Sequence, residues 1–411
     1  MSPSSSLRLS PLLFDAHCHL QDRRLVHWAL EGEGEEGKGG ETEEERKHRR
    51  LDAVVARARS AGVAGVACCA CSEGDWKAVA ALADRYPEYV RPSFGLHPWY
   101  LHAQRPGWEA RLEALLRSRP GAGVGESGLD RAKSSRRRQL PPLDVQLEAL
   151  RAHARIAREL RRPLTVHCVR AAAALHDALS ALAPFSRRDP TTSSSSRGGG
   201  RAAGSSSPLL AAAPLDNTCL VFHGWQGSRE EVARLSRLGD GVFFSLGARS
   251  LPPRQRAPGE EAARGSLSHI PLERLLIETD SPDGFEPRCL GEGLVPLAAG
   301  GGEEEEEEEE KEKEEEEEKE DKEEEARGLN GNTKQGLGSS ISKTERKQES
   351  SQHTRRAEDA PLLNQPANLA ALLPELARAL GRDEREVARA CWENARSVFC
   401  GGGESGGGVR E

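Results

Sequence analysis

Two histidines two residues apart close a short apolar run, Leu13-Phe14-Asp15-Ala16-His17-Cys18-His19. On an extended strand alternate side chains share a side, so His17 and His19 can aim both imidazoles at one point. That pair could open a metal site, or it could be two surface histidines at a strand end. It gains weight only if matching donors end later strands. Such donors occur: Glu126 in Gly125-Glu126-Ser127-Gly128-Leu129-Asp130, His167 in Thr165-Val166-His167-Cys168, His223 in Val221-Phe222-His223-Gly224, and Asp280 in Glu278-Thr279-Asp280-Ser281-Pro282. Four imidazoles and two carboxylates are enough ligands for two divalent cations. Singly, each has a plain alternative: a satisfied core histidine, a surface carboxylate, a turn-forming aspartate. Their recurrence at the same end of successive strands favours ligation.

The elements that must place these residues follow a rhythm. Apolar strand-like runs occur at 12–17, 63–71, 90–95, 123–126, 164–167, 219–223, 242–246 and 275–278. Helical patterns lie between most of them, at 51–58, 75–84, 108–116, 144–160, 171–182 and 229–238, and two more close the chain at 368–380 and 384–399. Strand-helix alternation implies parallel strands joined by right-handed crossovers. Eight such strands predict an α/β fold, a (β/α)8 TIM barrel whose active site lies at the C-terminal ends of the strands. One barrel domain is expected over 11–399, with a Gly-rich tail at 400–411.

Four stretches interrupt it, at about 31–50, 186–214, 252–266 and 296–360. Their Glu/Gly, Ser/Gly, Pro/Arg and acidic compositions cannot bury enough apolar surface to offset ordering entropy, so disorder is expected there. Segment 252–266 follows the seventh strand and is a candidate lid over the site. The formal charge of −8 is dominated by one run: Glu303 to Glu325 holds 19 acidic and 4 basic residues, and without it 54 basic residues face 47 acidic ones. That mildly basic remainder is compatible with an anionic substrate. The acidic run reads as a solvated spacer, or as a docking segment for a basic protein partner. No run of eighteen apolar residues exists, so no membrane span is expected. Nine scattered cysteines suit reduced thiols of a cytoplasmic or nuclear protein, and the Ser/Arg-containing start leaves organelle targeting open.

Other residues at the same strand ends are weaker candidates. His97, in Gly95-Leu96-His97-Pro98, could meet a substrate phosphate or hold its loop. Arg170, three residues past His167, could meet an anion or cap a helix. Asp130 could orient ligands from behind them. Cys68, Cys69 and Cys71 lack a partner pair at zinc-finger spacing and are expected to be core.

As an ordered set, Phe14-Asp15-Ala16-His17-Cys18-His19, Gly95-Leu96-His97-Pro98, Gly125-Glu126-Ser127-Gly128-Leu129-Asp130, Val166-His167, Phe222-His223-Gly224, Glu278-Thr279-Asp280-Ser281-Pro282 and the late Asn364-Gln365-Pro366 and Glu393-Asn394-Ala395 resemble the TatD-like metal-dependent hydrolases, or TatD-related DNases. The resemblance implies that His17, His19 and Asp280 hold one metal, that His167 and His223 hold the other, and that Glu126 bridges. It implies Mg²⁺ for nuclease activity, with Zn²⁺ or Mn²⁺ also suited to so many imidazoles, and Glu126 and Asp280 as catalytic carboxylates. The implied reaction is hydrolysis of DNA phosphodiesters from a 3′ end by an enzyme expected to be monomeric. Departures from the family pattern, at Val169-Arg170, Gly224-Trp225-Gln226, Arg131 and Gln365, bear on substrate choice. Two alternatives stand beside this: the same barrel acting on another small ester, amide or phosphoester, and a partner-binding protein whose site is vestigial. The complete ligand set argues against the second.

Overall fold

A computed structural model describes residues 12–25, 42–132, 140–186, 218–251, 267–287, 289, 297–298 and 362–400. The stretches 187–217 and 252–266, the acidic run 303–325 and the tail 401–411 lie outside the described residues, and with them the expectations of disorder, a lid and a docking segment.

Eight parallel strands run in sequence order: β1 (Leu13–Cys18), β2 (Val63–Cys69), β3 (Val90–Phe94), β4 (Gly123–Asp130), β5 (Leu164–Val169), β6 (Leu220–Phe222), β7 (Val242–Leu246) and β8 (Leu275–Ile277). The two edges meet just past their last residues. Asp280 N–H donates to His17 O (3.0 Å) and His19 N–H to Ser281 O (2.8 Å), which closes the barrel at the end where the candidate ligands gather. Helices α1 (Glu43–Ser60), α2 (Asp75–Arg85), α3 (Trp108–Ser118), α4 (Leu143–Leu160), α5 (Ala172–Ser180) and α6 (Arg229–Leu235) follow the first six strands, and α7 (Leu369–Leu380) and α8 (Glu384–Phe399) end the fold. Among the described residues no α-helix lies between β7 and β8, where three short 3₁₀ turns stand instead. A two-residue antiparallel pair joins β9 (Leu297–Ala298) to β10 (Leu362–Leu363).

Two expectations need correction. The first helix begins inside the stretch expected to be an insertion at 31–50. Thr42 caps it reciprocally with Glu45, and Glu43, Glu44 and Glu45 face the positive end of the helix dipole, so a highly charged segment still starts a helix. Likewise 297–298, within the 296–360 stretch, pairs with 362–363.

The strands alternate between two buried layers. Leu13, Leu220, Val242, Leu275 and their neighbours pack outward against the helices. Phe14, Ala16, Ala67, Val221, Phe243 and Leu276 form an inner layer together with Ala395, Val398 and Phe399 of α8. The C-terminal helix is therefore the plug of the barrel, with Phe399 stacked on Phe14 at 5.3 Å between ring centroids. The plug lies against the middle of β1, below the histidines.

Candidate metal centre

The six expected ligands, carried by five strands, converge on one carboxylate, although Glu126 and His167 stand within β4 and β5, each the fourth residue of its strand, rather than at their ends. Glu126 Oε2 lies 3.2 Å from His17 Nε2 and 3.7 Å from His19 Nε2. Its Oε1 lies 2.7 Å from His223 Nε2, 3.1 Å from His167 Nδ1 and 3.3 Å from His97 Nε2. Asp280 Oδ1 completes the first side, 3.8 Å from His17 Nε2 and 3.7 Å from His19 Nε2. The donor atoms of His17, His19 and Glu126, of His17, His223 and Asp280, and of His97, Glu126 and His167 are each close enough together to hold one ion.

Local backbone explains the convergence. Gly125 has φ +121°, and a Cβ there would sit 2.6 Å from Thr165 O; a Cβ at Gly95 would sit 2.7 Å from Glu126 O. Glycine at both positions lets β3, β4 and β5 approach where Glu126 turns inward. Asp280 has φ +55°, which aspartate tolerates better than most side chains. It is held there from three directions. Asp15, fully buried in β1, accepts from Thr279 N (2.9 Å) and from Thr279 Oγ1. The Asn364 side-chain amide donates to Thr279 O (2.7 Å), and Asn364 N–H donates to Pro282 O (2.8 Å). Burial raises the Asp15 carboxyl to about 8 despite these hydrogen bonds.

Hydrogen-bond partners assign the ring nitrogens. Carbonyls and carboxylates only accept, so His19 Nδ1 donates to Cys69 O (2.8 Å) and its Nε2 keeps a lone pair for the centre. His167 faces a carboxylate from each ring nitrogen, Asp130 Oδ2 from Nε2 (3.3 Å) and Glu126 Oε1 from Nδ1 (3.1 Å); with its proton on Nε2 the ring has an inward Nδ1 lone pair to give a cation. Asp130 also accepts from Trp99 Nε1 (2.7 Å) and Ala132 N (2.7 Å). Burial pushes the Asp130 carboxyl up, but His167, Ala132 and Trp99 outweigh it and hold it at about 2. His223 turns Nε2 inward and Nδ1 toward Glu278 Oε1 at 3.8 Å, while that oxygen accepts from Gly224 N. His97 differs. Its Nδ1 accepts from Trp99 N (3.1 Å), so its Nε2 carries the proton and faces Glu126 Oε1 as a donor. Proximity alone groups His97 with the ligands; its hydrogen bonding makes it an N–H donor beside them.

The donor set fits divalent cations. Lone pairs of His19 and His167 and both oxygens of Glu126 crowd into one buried space, and the outward nitrogens of His17 and His223 are buried without a hydrogen-bond partner. Mutually repelling lone pairs at this spacing are compensated by a cation held among them.

The weaker candidates separate. Asp130 orients His167, as expected. Arg170 is exposed, with φ +53°, and among the described residues makes no ion pair with the cluster. Cys68 and Cys69 are fully buried, as expected, but Cys71 is not plain core: its Sγ lies 3.6 Å from His19 Nδ1 and 3.9 Å from Glu126 Oε2. Trp225 turns away from the mouth and packs on Phe222 and Phe244, whereas Gln226 lines the cavity. That cavity, about 120 Å³, opens beside His167, His223 and Asp280 and is walled by Gly247, Ala248 and Arg249. Sequence reasoning missed Trp99, Arg249 and His153. His153 is fully buried on α4, donates from Nδ1 to Ala149 O (2.7 Å) and accepts Leu96 N–H at Nε2 (3.1 Å), next to His97. A histidine within Ala152-His153-Ala154 on the buried face of a helix was the available signal.

The profile of the family described as "TatD related DNase" matches residues 14–400. Relatives include the 3′-5′ ssDNA/RNA exonuclease TatD of Edwardsiella piscicida, 29% identical over 229 residues, covering 56% of this chain and 72% of that protein. The protein of the same name from Pantoea is 30% identical over 232 residues, covering 56% and 73%. In fold, the chain is similar to a TatD-family hydrolase from Entamoeba histolytica, with a TM-score of 0.58 at 15% identity, covering 95% of this chain and 98% of that one.

Proposed function

The chain belongs to the TatD-related DNase family, and from that membership and the geometry of its metal centre we propose that it is a divalent-metal-dependent nuclease removing nucleotides from the 3′ end of single-stranded DNA. The observation that carries this is the division of Glu126 between two ligand groups, Oε2 toward His17 and His19 and Oε1 toward His167 and His223. A bridging carboxylate between two imidazole pairs is the arrangement a two-cation hydrolase needs. In this reading His17, His19 and Asp280 hold one cation, His167 through Nδ1 and His223 through Nε2 hold the second, and Glu126 spans both. Mg²⁺ is the proposed ion for nuclease turnover, with Mn²⁺ and Zn²⁺ as competitors for an imidazole-rich set.

Bound there, the cations supply charge that activates water and offsets the charge developing on a phosphoryl group. The chain's own groups do the rest. Asp280 is the more open of the two site carboxylates, with 22% of its side chain exposed against 2% for Glu126, and so is placed to take a proton from attacking water. His97 holds one fixed N–H at the centre, facing Glu126 Oε1 at 3.3 Å until a phosphoryl oxygen competes for it. Asp130 keeps His167 in its working tautomer. The names of the bacterial relatives, ssDNA/RNA exonucleases, support nucleic acid as the substrate class.

The test is a single-stranded oligonucleotide labelled at either end, incubated with each metal. A 3′ label should appear at once as mononucleotide, a 5′ label as a descending ladder, and His17→Ala and Glu126→Ala should abolish both. Full activity in both variants, or turnover of small esters or amides with no release from nucleic acid, would overturn the reading.

A further inference from the structure

The turn after β7 carries a cation to the rim of the cavity. Gly247-Ala248-Arg249-Ser250 is a tight 3₁₀ turn fixed on both sides. Ser250 N–H donates to Gly247 O (3.0 Å), Gly247 N–H donates to Ser250 Oγ (3.3 Å), and Leu251 N–H donates to Ala248 O (3.1 Å). Ala248 and Leu251 are buried, which anchors the turn in the core. Arg249 alone in the turn is exposed, with half its side chain in solvent, and it lines the same cavity as His167, His223 and Asp280. Its guanidinium makes only long ion pairs with two carboxylates: Nη1 lies 3.9 Å from Asp280 Oδ2 and Nε 4.0 Å from Glu286 Oε1. Both separations exceed hydrogen-bond length, so neither carboxylate takes up the planar donor fork. Asp280 turns its other oxygen toward His17 and His19.

We propose that Arg249 is a phosphate clamp: its guanidinium receives the non-bridging oxygens of the phosphoryl group seated at the metal centre and selects phosphate esters over uncharged esters and amides. The proposal rests on the nuclease reading and deepens it by assigning what recognises the anion. Guanidinium suits the task because its parallel N–H groups match two phosphate oxygens, whereas an ammonium offers only a point charge. The competing role, a counterion that merely neutralises Asp280, predicts a change in metal affinity and none in phosphate affinity.

The experiment compares wild type, Arg249→Lys and Arg249→Ala in three measurements. Inorganic phosphate binding to the metal-loaded protein is read by calorimetry, which reports on Arg249 whatever bond the enzyme cleaves. Oligonucleotide binding to chelator-treated protein is read by fluorescence anisotropy over a salt series, and kcat and KM are taken on the oligonucleotide. Arg249→Ala should weaken phosphate binding and lower kcat/KM by about 10- to 100-fold, and reduce the salt slope by about one. Arg249→Lys should recover only part of either loss, and metal affinity should stay unchanged in both variants. Unchanged phosphate affinity in Arg249→Ala, or a loss that excess metal restores, would overturn the clamp. Phosphate binding that depends on Arg249 in a wild-type protein inert toward nucleic acid would overturn the nuclease reading and leave the clamp standing.

Discussion

At the scale of single residues, the centre is a problem in counting lone pairs. Each neutral imidazole has one proton and one lone pair, so the outward partner of each ring decides what the ring offers inward. That rule separates His97 from its neighbours although it lies as near Glu126 as they do. His97→Ala should therefore keep both metals but lose about 10²-fold in turnover, whereas His167→Ala should lose one metal equivalent; elemental analysis beside an activity assay distinguishes them. Asp130→Asn should weaken the second metal by about 10- to 100-fold, measurable by competition with a chelating dye. An Asp130→Asn protein with wild-type metal affinity would show that Asp130 does not orient His167.

At the scale of elements, the candidate ligands were legible because they recur toward the C-terminal side of successive strands, and alternation places His17 and His19 on one side; that β4 runs on past Glu126 to Asp130 was not. Glu126 and Asp280 stood out for the same reason. The braces behind them were less visible, because they act across long sequence separations: Asp15 with Thr279, Asn364 with Thr279, His153 with Leu96. His153 gives a pH prediction. Burial against the ring of Trp108, 4.7 Å away, depresses the imidazole to about 4 although Ala149 O accepts its proton. The unfolded chain binds a proton near pH 6.5 that the folded chain refuses until about pH 4. Stability is therefore full above pH 6.5 and falls by an amount on the order of 3 kcal/mol as the pH drops to 4. Denaturation of His153→Gln across this window should show a shallower slope than wild type; equal slopes would mean that His153 is not the buried neutral group. The plug gives a second prediction at this scale. Phe399→Ala should cost about 3–5 kcal/mol, seen as a lowered denaturation midpoint with metal content unchanged, because the aromatic pair with Phe14 lies below the ligands.

At the scale of the molecule, the strand-helix rhythm made the barrel readable, since each strand is a compact apolar run and six of the seven crossovers have helical periodicity. The start of α1 was not readable from composition, because a capping box and end charges can begin a helix that apolar content would not predict. The fate of the substituted mouth residues was also hidden: whether Trp225 faces the cavity or the core depends on where Phe222 and Phe244 stand. The proposed ligands come from within β1, β4 and β5 and from just past β1, β6 and β8, so cations would tie together strands distant in sequence. Chelation should lower the thermal midpoint, since a ligand at about 100 times its Kd adds about 2.7 kcal/mol of stability; a midpoint indifferent to chelator would mean that no cation is held there. The central claim is a two-cation centre bridged by Glu126 that hydrolyses nucleic acid. It is tested most directly by titrating metal-free protein with Mn²⁺ while following nucleotide release from a single-stranded oligonucleotide. Release should climb to a break at two equivalents of metal per chain and be absent throughout in Glu126→Gln. Full turnover at one equivalent, or in the presence of chelator, would contradict it.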